Sequence, residues 1–257
     1  MNTVDKPPPQ PKSVEKPRVP GASIEDVWRV PLAIWRARRA VDSGDLDTAR
    51  RLVAPLLGRF GTVTLVRKIA GEILYASGDP LSAAALFEQA AKRLPRDRAI
   101  AVGLVASYAA LNRAGDARRS AALLPDHVDV RLALAWSELV AIGGDRNAGA
   151  ELVADIARDS DLATSAERRS MHHALSAIAA AYSGDREALG SRVARAEHEA
   201  ARVRVADRAF VAYLSGVAFR EGGLLDEARA RFDVGVEASP SSIGGALARR
   251  ERANLDR

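Results

Sequence analysis

Apolar positions with helical spacing, separated by Gly-Asp or Gly-Gly turns, recur along most of the chain. The pattern is clearest after Gly78, which is followed by Ala83 at +5, Phe87 at +9, Ala90 at +12 and Pro95 at +17. Positions +5, +9 and +12 share one face of a helix. The segment therefore predicts an apolar helix that begins after the turn glycine and ends at the proline.

The same spacing recurs near the end of the chain. Gly223 is followed by Ala228, Phe232, Gly235 and Pro240 at the corresponding positions. A small residue at +5 allows the second helix to cross the preceding one closely, while +9 and +12 face a neighbouring unit. Because one helical hairpin cannot bury its apolar face alone, such units have to stack on one another.

Six turns of this kind are separated by 34, 37, 29, 40 and 39 residues. We place them at Gly44, Gly78, Gly115, Gly144, Gly184 and Gly223. A quasi-period of this size is typical of a stacked repeat. Each glycine can end one helix in the left-handed conformation, and the polar residue after it can cap the next helix. The predicted fold is all-α, an α-solenoid of about six antiparallel helix pairs.

Three prolines modify this prediction locally. Pro31 is expected to open a new helix at its first turn. Pro55 is expected to kink or shorten the second helix of the first repeat. Pro125 follows Leu124 directly, so the second helix of the third repeat is expected to be short, near residues 117–124.

Three segments follow from this pattern. Residues 1–21 contain six prolines and few apolar side chains, which predicts a disordered or polyproline-like arm, either a solvated tail or a tether or docking peptide. Residues 22–240 form the predicted repeat domain. Residues 241–257 are expected to form a capping helix on the last apolar face or a tail.

Composition supports a helical fold and narrows the chemistry. Of 257 residues, 47% are apolar but only 5% are aromatic, so packing must rely on alanine, leucine and valine. The absence of cysteine excludes disulfides, cysteine-ligated metals and thiol catalysis. The N-terminus lacks the apolar core of a signal peptide, and no run of about 18 apolar residues occurs. The expected compartment is the cytoplasm.

The net charge of +5 is carried mostly by arginine. A GC-rich genome would explain this, and so would an acidic or nucleic-acid partner. Arginine clusters at residues 36–39, 168–169, 202–204 and 249–252 leave open a regulatory or nucleic-acid-associated module. Trp35 lies beside the first cluster, but we expect it in the core. The apolar segment 27–35 fits a membrane-surface anchor or burial in the first repeat, and burial is expected.

No catalytic or metal-binding pattern is found. Dinucleotide and P-loop phosphate motifs are absent, as are GxSxG and HExxH. The adjacent His172 and His173 would point about 100° apart on a helix and could not grip one metal together. We therefore expect no enzyme activity, no cofactor and no metal.

The residues around Gly78 and Gly223 resemble the tetratricopeptide repeat family. With the turn glycine at the fifteenth of 34 positions, Gly71 and Gly216 fall on the family's small eighth position. Residues at +5, +12 and +17 match its two later small positions and its proline, with Gly235 in place of the usual alanine. The resemblance covers roughly residues 31–240 and implies a right-handed superhelix with a concave groove lined by the first helices.

The resemblance also implies which residues would line that groove. The polar or aromatic candidates for binding a partner protein or peptide are Arg38, Lys68, Glu72, Tyr75, Asn112, Arg113, Arg131, Glu138, Tyr182, Tyr213 and Arg220. Lys68 is followed one turn later by Glu72, where the family's chaperone-tail clamp has asparagine. The expected function is that of a non-enzymatic bacterial scaffold or adaptor, or of a subunit of a larger assembly.

Overall fold

The computed structural model describes residues 24–257, with side chains from residue 29 onward. This part of the chain is all-helical, with thirteen α-helices, one short 3₁₀ helix and no strand. The predicted helical class is therefore confirmed. The predicted arm, residues 1–21, lies outside the described residues.

Most of the helices follow one another as pairs joined by short turns. In chain order they are α1 (Ile24–Asp42), α2 (Leu46–Phe60), α3 (Thr64–Ala76), α4 (Pro80–Ala91), α5 (Arg98–Ala110), α6 (Ala114–Ala121), α7 (Val128–Val140), α8 (Arg146–Ile156), the 3₁₀ helix (Ser160–Thr164), α9 (Ala166–Ser183), α10 (Arg186–Ala200), α11 (Val205–Glu221), α12 (Leu225–Ala238) and α13 (Ile243–Leu255).

The helices pack in these adjacent pairs and also between consecutive pairs. Contacts are most extensive within α9–α10 and α11–α12, and α5 packs on α7 as α9 packs on α11. The last helix, α13, packs against both α11 and α12. Alanine is abundant at these contacts, which lets the helices approach closely, as the composition predicted.

Left-handed residues mark the turns inside the pairs. Gly44, Gly78, Gly143, Gly184 and Gly223 have φ between 75° and 81°, a conformation that favours glycine. In four of these turns an aspartate side chain accepts a hydrogen bond from a backbone N–H of the following helix and so caps it. The glycine turns predicted from the sequence are thus present at four positions and shifted from Gly144 to Gly143 at a fifth.

The sixth predicted turn was wrong. Gly115 lies inside α6, and the left-handed residue of this pair is Asn112, with φ of 58°. Asparagine is one of the few residues besides glycine that tolerates this conformation. With Asn112 in place, the first three turn residues, Gly44, Gly78 and Asn112, follow one another at 34-residue intervals.

Neither Pro31 nor Pro55 interrupts its helix. Pro31 lies inside α1 and opens no new helix, and Pro55 lies inside α2, which continues to Phe60. Helix α6 is short, at eight residues, but it covers Ala114–Ala121 and so begins before the predicted segment.

Two apolar clusters form the interior. The N-terminal core consists of nine buried residues from α1, α2 and α3, namely Ala37, Ala40, Ala49, Val53, Leu56, Val66, Ile69, Ala70 and Ile73. The main core extends from α4 to α13 and contains the large buried side chains of Trp136, Tyr213, Phe87 and Phe232. The two clusters meet where α3 packs on α4.

Glycines make room for the two buried phenylalanines. A Cβ atom at Gly71 would lie 2.9 Å from the Phe87 ring, and one at Gly216 would lie 2.5 Å from the Phe232 ring. Each phenylalanine therefore presses against the backbone of the preceding helix. This explains why the sequence pairs a glycine in the first helix with a phenylalanine in the second.

Candidate binding cavity

A cavity of about 490 Å³ lies between the N-terminal helices and α11. The C-terminal ends of α1 and α3 form one wall, and the N-terminal ends of α5 and α11 form the opposite wall. Ile243 at the start of α13 and Asp129 near the start of α7 complete the lining. The apolar lining is formed mainly by Val41, Ile73, Ala76, Phe87, Ala99, Val102, Ala206 and Phe210.

An arginine at the start of α11 bridges the two walls. Arg204 Nη1 donates to Asp42 Oδ1 at 3.2 Å, although the two residues are 162 positions apart. Arg204 Nε also donates to Asp207 Oδ2 at 2.8 Å and lies 3.8 Å from Glu167 Oε1. Partial burial lowers the pKa of Arg204, but these carboxylates outweigh that effect and raise it. Three helices thus converge on one guanidinium group at the cavity edge.

The C-terminal helix makes further contacts between distant parts of the chain. A Cβ atom at Gly78, in the α3–α4 turn, would lie 3.4 Å from Ala246 Cβ and 3.5 Å from the Ser241 carbonyl oxygen. Arg250 Nη1 donates to the Ala110 carbonyl oxygen at 3.4 Å. Helix α13 therefore contacts residues near the ends of α3 and α5.

Other ion pairs place alternating charges along the cavity rim. Arg38 Nη2 donates to Glu72 Oε2 at 3.1 Å and so links α1 to α3. Asp129 accepts from Arg168 Nε and Nη2 at 2.7 and 3.0 Å, while Arg98 lies 4.0 Å away. The bidentate pair is the stronger of the two interactions. The more exposed Arg98 is the rim cation with the weakest attachment to a carboxylate.

Tyr75 brings a phenol to the cavity. Burial raises the pKa of Tyr75 strongly, and the nearby Tyr213 and Asp207 raise it further. The hydroxyl group therefore stays protonated at neutral pH and is available as a hydrogen-bond donor. It adds a neutral polar group to the apolar lining.

Three of the sequence-predicted groove residues come together at this cavity. Arg38, Glu72 and Tyr75 all line it, on the C-terminal halves of α1 and α3. Gly44 and Gly78, the residues from which these positions were counted, both lie in turns between paired helices.

Six of the other predicted residues lie elsewhere and join helices to one another. Lys68 Nζ donates to Asp97 Oδ2 at 2.7 Å, and Tyr182 OH donates to the Leu139 carbonyl oxygen at 2.8 Å. Three of the remaining residues form ion pairs: Arg131 with Asp159, Glu138 with Arg118 through two hydrogen bonds, and Arg220 with Glu221 and Glu251. The fourth, Tyr213, is buried in the main core.

Asn112 and Arg113 lie in the turn between α5 and α6, because the turn is three residues earlier than predicted. Arg113 pairs with Asp116 and lies over the Tyr108 ring. Counting from Asn112 instead moves the groove-facing positions of this repeat to residues that include Ala99 and Val102, which do line the cavity. The 34-residue interval to Asn112 was the signal that could have found them.

Sequence reasoning also missed Arg204, Asp207 and Phe210. They line the cavity because the sixth helix pair lies opposite the first, a relation that repeat spacing alone does not contain. Trp35 was predicted in the core, but its side chain is 54% exposed. Burial of this part of α1 is provided by Ala37 and Ala40 instead.

The adjacent histidines lie on α9, away from the cavity; His172 is buried and His173 is partly buried. His172 Nε2 donates to the Val153 carbonyl oxygen at 3.0 Å. Burial, followed by the neighbouring His172, lowers the pKa of His173 to about 4. Within the described part of the chain, no three side chains of the metal-binding types converge.

Members of each arginine cluster engage acidic partners or backbone carbonyls. Arg168 binds Asp129, Arg169 binds Glu199, Arg204 binds Asp42 and Arg252 binds Asp233. These pairs link different helices, so the guanidinium groups contribute to packing as well as to surface charge. The acidic residues interleaved along this basic chain therefore serve as partners for arginines on neighbouring helices.

No family model matches this sequence, and no curated protein is similar to it. Within residues 24–257, no helix is both long enough and apolar enough to cross a bilayer.

Proposed function

We propose that this chain is a non-catalytic α-solenoid, built of repeats similar to tetratricopeptide repeats, that holds a segment of a partner protein in the cavity. The observation that carries the proposal is the apolar cavity, with alternating rim charges, between the ends of α1, α3, α5 and α11. Its volume of about 490 Å³ falls within the range of about 300–1,000 Å³ typical of specific ligand sites.

The helix arrangement supports the solenoid part of this proposal. Adjacent helices pair, and the first helices of the third, fourth, fifth and sixth pairs pack on one another in order. Turn residues recur at 34-residue intervals through Asn112. A solenoid built this way turns its first helices inward, which is where the cavity lies.

The chemistry of the lining supports binding rather than catalysis. The rim carboxylates and guanidinium groups mostly neutralise one another in pairs, as at Arg38–Glu72 and Arg204–Asp42. Tyr75 stays protonated and can donate a hydrogen bond without acting as a base. Such groups orient a bound segment while the apolar lining supplies its affinity.

A size-based block tests this function. Ala99 and Val102 face the cavity, so Ala99→Trp and Val102→Trp should fill it without touching the turns or the ion pairs. We expect both variants to lose proteins that the wild type retains in quantitative affinity capture from lysate. Reciprocal capture, with the tagged partner as bait, should give the same loss.

Arg113→Glu is the matched control, because Arg113 lies on the α5–α6 turn and not at the cavity. It should retain the full set of captured proteins. If the cavity-filling variants fold normally, by circular dichroism, and capture the same proteins as the wild type, the cavity is not the binding site. If Arg113→Glu alone loses them, the turn is the site instead.

A further inference from the structure

One face of α1 presents apolar and basic side chains to solvent. Leu32, Trp35, Arg36 and Arg39 are spaced at i, i+3, i+4 and i+7, which places them along one stripe of the helix. Leu32 is 46% and Trp35 is 54% exposed, and both arginines are exposed too. This stripe, called the α1 outer face below, lies away from the N-terminal core.

The arginines of the α1 outer face differ from those elsewhere in the fold. Arg39 lies over the Trp35 ring at 5.4 Å from its centroid, whereas Arg38 on the adjoining side is committed to Glu72. An arginine stacked on an exposed tryptophan keeps its charge while the ring covers its stem. The α1 outer face therefore combines carbon surface with cationic groups.

The size and shape of the face favour a flat anionic surface over a protein groove. A stable protein interface uses about 20–30 residues a side, far more than one four-residue ridge supplies. A bilayer needs no complementary groove: leucine and tryptophan enter the interfacial layer while arginines remain at the level of the lipid phosphates. Tryptophan is also enriched at that depth.

The sequence further towards the N-terminus carries charge of the same sign. Residues 1–21 contain Lys6, Lys12, Lys16 and Arg18 against Asp5 and Glu15, and the acidic pair Glu25–Asp26 follows before the face. Clusters of basic residues beside an amphipathic helix favour anionic lipid, since each adds attraction near the membrane surface. Stable membrane association generally needs two such signals, an apolar one and an electrostatic one.

We propose that the α1 outer face docks the protein onto an anionic lipid bilayer surface, with Leu32 and Trp35 inserted and Arg36 and Arg39 facing the lipid phosphates. The residues of this contact are distinct from those with which α1 lines the cavity, Arg38, Val41 and Asp42. The protein would thereby present its cavity next to a membrane without spanning it.

Vesicle flotation of the full chain tests the proposal. Vesicles of phosphatidylcholine with one-third phosphatidylglycerol should bind the protein at least about tenfold better than phosphatidylcholine alone. Raising NaCl to about 1 M, where the Debye length is about 3 Å, should remove most of the binding. Leu32→Ser combined with Trp35→Ser should reduce binding to anionic vesicles about tenfold.

Leu65→Ser combined with Leu81→Ser is the matched control, because both are large apolar side chains exposed on other helices, α3 and α4. It should bind as the wild type does. Equal binding by the Leu32/Trp35 variant would overturn the proposal, since another surface would then be responsible. Absence of vesicle binding would also overturn it, and binding to poly-glutamate in that case would assign the α1 outer face to an acidic protein.

Discussion

The two apolar cores differ in what holds them together. The buried residues of the N-terminal core are alanine, valine, leucine and isoleucine, with only the partly buried Phe60 as an aromatic neighbour, whereas the main core is built around Trp136, Tyr213, Phe87 and Phe232. Each buried aromatic side chain removes about 150–250 Å² from water. The comparison indicates that α1–α3 contribute less buried area per helix and should open at lower free energy than the rest.

The connection between the cores is also asymmetric. On one side Phe87 of the main core presses on Gly71 of α3. On the other side the exposed Arg204–Asp42 pair bridges the cavity edge. Aromatic packing therefore fixes the N-terminal core along one edge, while an ion pair that salt can screen holds the other.

The largest expected effect comes from removing the aromatic connection. Phe87→Ala should destabilise the protein by about 3–5 kcal/mol, since it leaves a cavity between α3, α4 and α5. Hydrogen exchange should lose protection first in α1–α3. Phe232→Ala, the matched variant inside the main core, should cost a similar amount but lower protection across α9–α13. Equal loss everywhere in both variants would show a single cooperative unit.

The next largest effect should come from acidification, which is expected to destabilise the main core but not the N-terminal core. In the folded state burial lowers the pKa of His173 to about 4, against about 6.5 in the unfolded chain, so the unfolded state binds more protons between these values. The contribution of His173 to the free energy of unfolding is therefore fully present above about pH 6.5 and is lost as the pH falls towards 4. The expected loss is about 2 kcal/mol, which is less than the whole pKa shift would give because the ring is partly exposed to solvent.

No histidine occurs between residues 24 and 126, so this loss should be confined to the main core. Urea unfolding across this pH window, for wild type and His173→Gln, measures it. The wild type should lose more stability than His173→Gln on acidification. Parallel pH profiles would contradict the buried, neutral state of this ring.

A smaller effect tests the turn that the sequence misplaced. Asn112→Gly should be neutral or stabilising by up to about 1 kcal/mol, because glycine adopts positive φ without a Cβ penalty. Gly115→Ala should stabilise α6 by about 0.5–1 kcal/mol, since alanine is the better helix former. Thermal unfolding measures both. If Gly115→Ala instead destabilises the protein, the left-handed turn residue is Gly115 and not Asn112.

The smallest expected change in stability is that of Arg204→Ala. The Arg204 and Asp42 side chains are about half-exposed, so loss of the pair should cost less than about 1 kcal/mol. Hydrogen exchange in α1 should nevertheless accelerate. Arg158→Ala, which removes an exposed pair within three residues of sequence, should leave α1 unchanged. If α1 exchanges at the same rate in both variants, Arg204 does not help to join the two regions.

The turns and the helical class could be predicted because they depend on local chemistry. Glycine followed by a capping aspartate is a short-range signal, and it located Gly44, Gly78 and Gly184 correctly. It failed at Asn112, where asparagine takes the left-handed conformation in place of glycine. The nearby Gly115-Asp116 pair has the same residue types but lies inside α6. Residue type alone does not distinguish a glycine that needs positive φ from one that does not.

The cavity could be predicted only in part. Arg38, Glu72 and Tyr75, which were expected from the family resemblance, line it. The opposite wall could not be predicted, since the meeting of Arg204 with Asp42 depends on small crossing angles accumulated over ten intervening helices. Trp35 was misjudged for a related reason: an apolar residue on an edge helix is buried only if a neighbour covers it.

The N-terminal helices and α11 face each other across the cavity. Because the chain has no cysteine, spin labels can be placed singly at Asp47→Cys and Arg202→Cys, both exposed and close to the Asp42–Arg204 bridge. Double electron–electron resonance should give one narrow distance distribution centred on the separation of these positions in the structure. A broad distribution extending to much longer distances would contradict this arrangement of the N-terminal helices and α11.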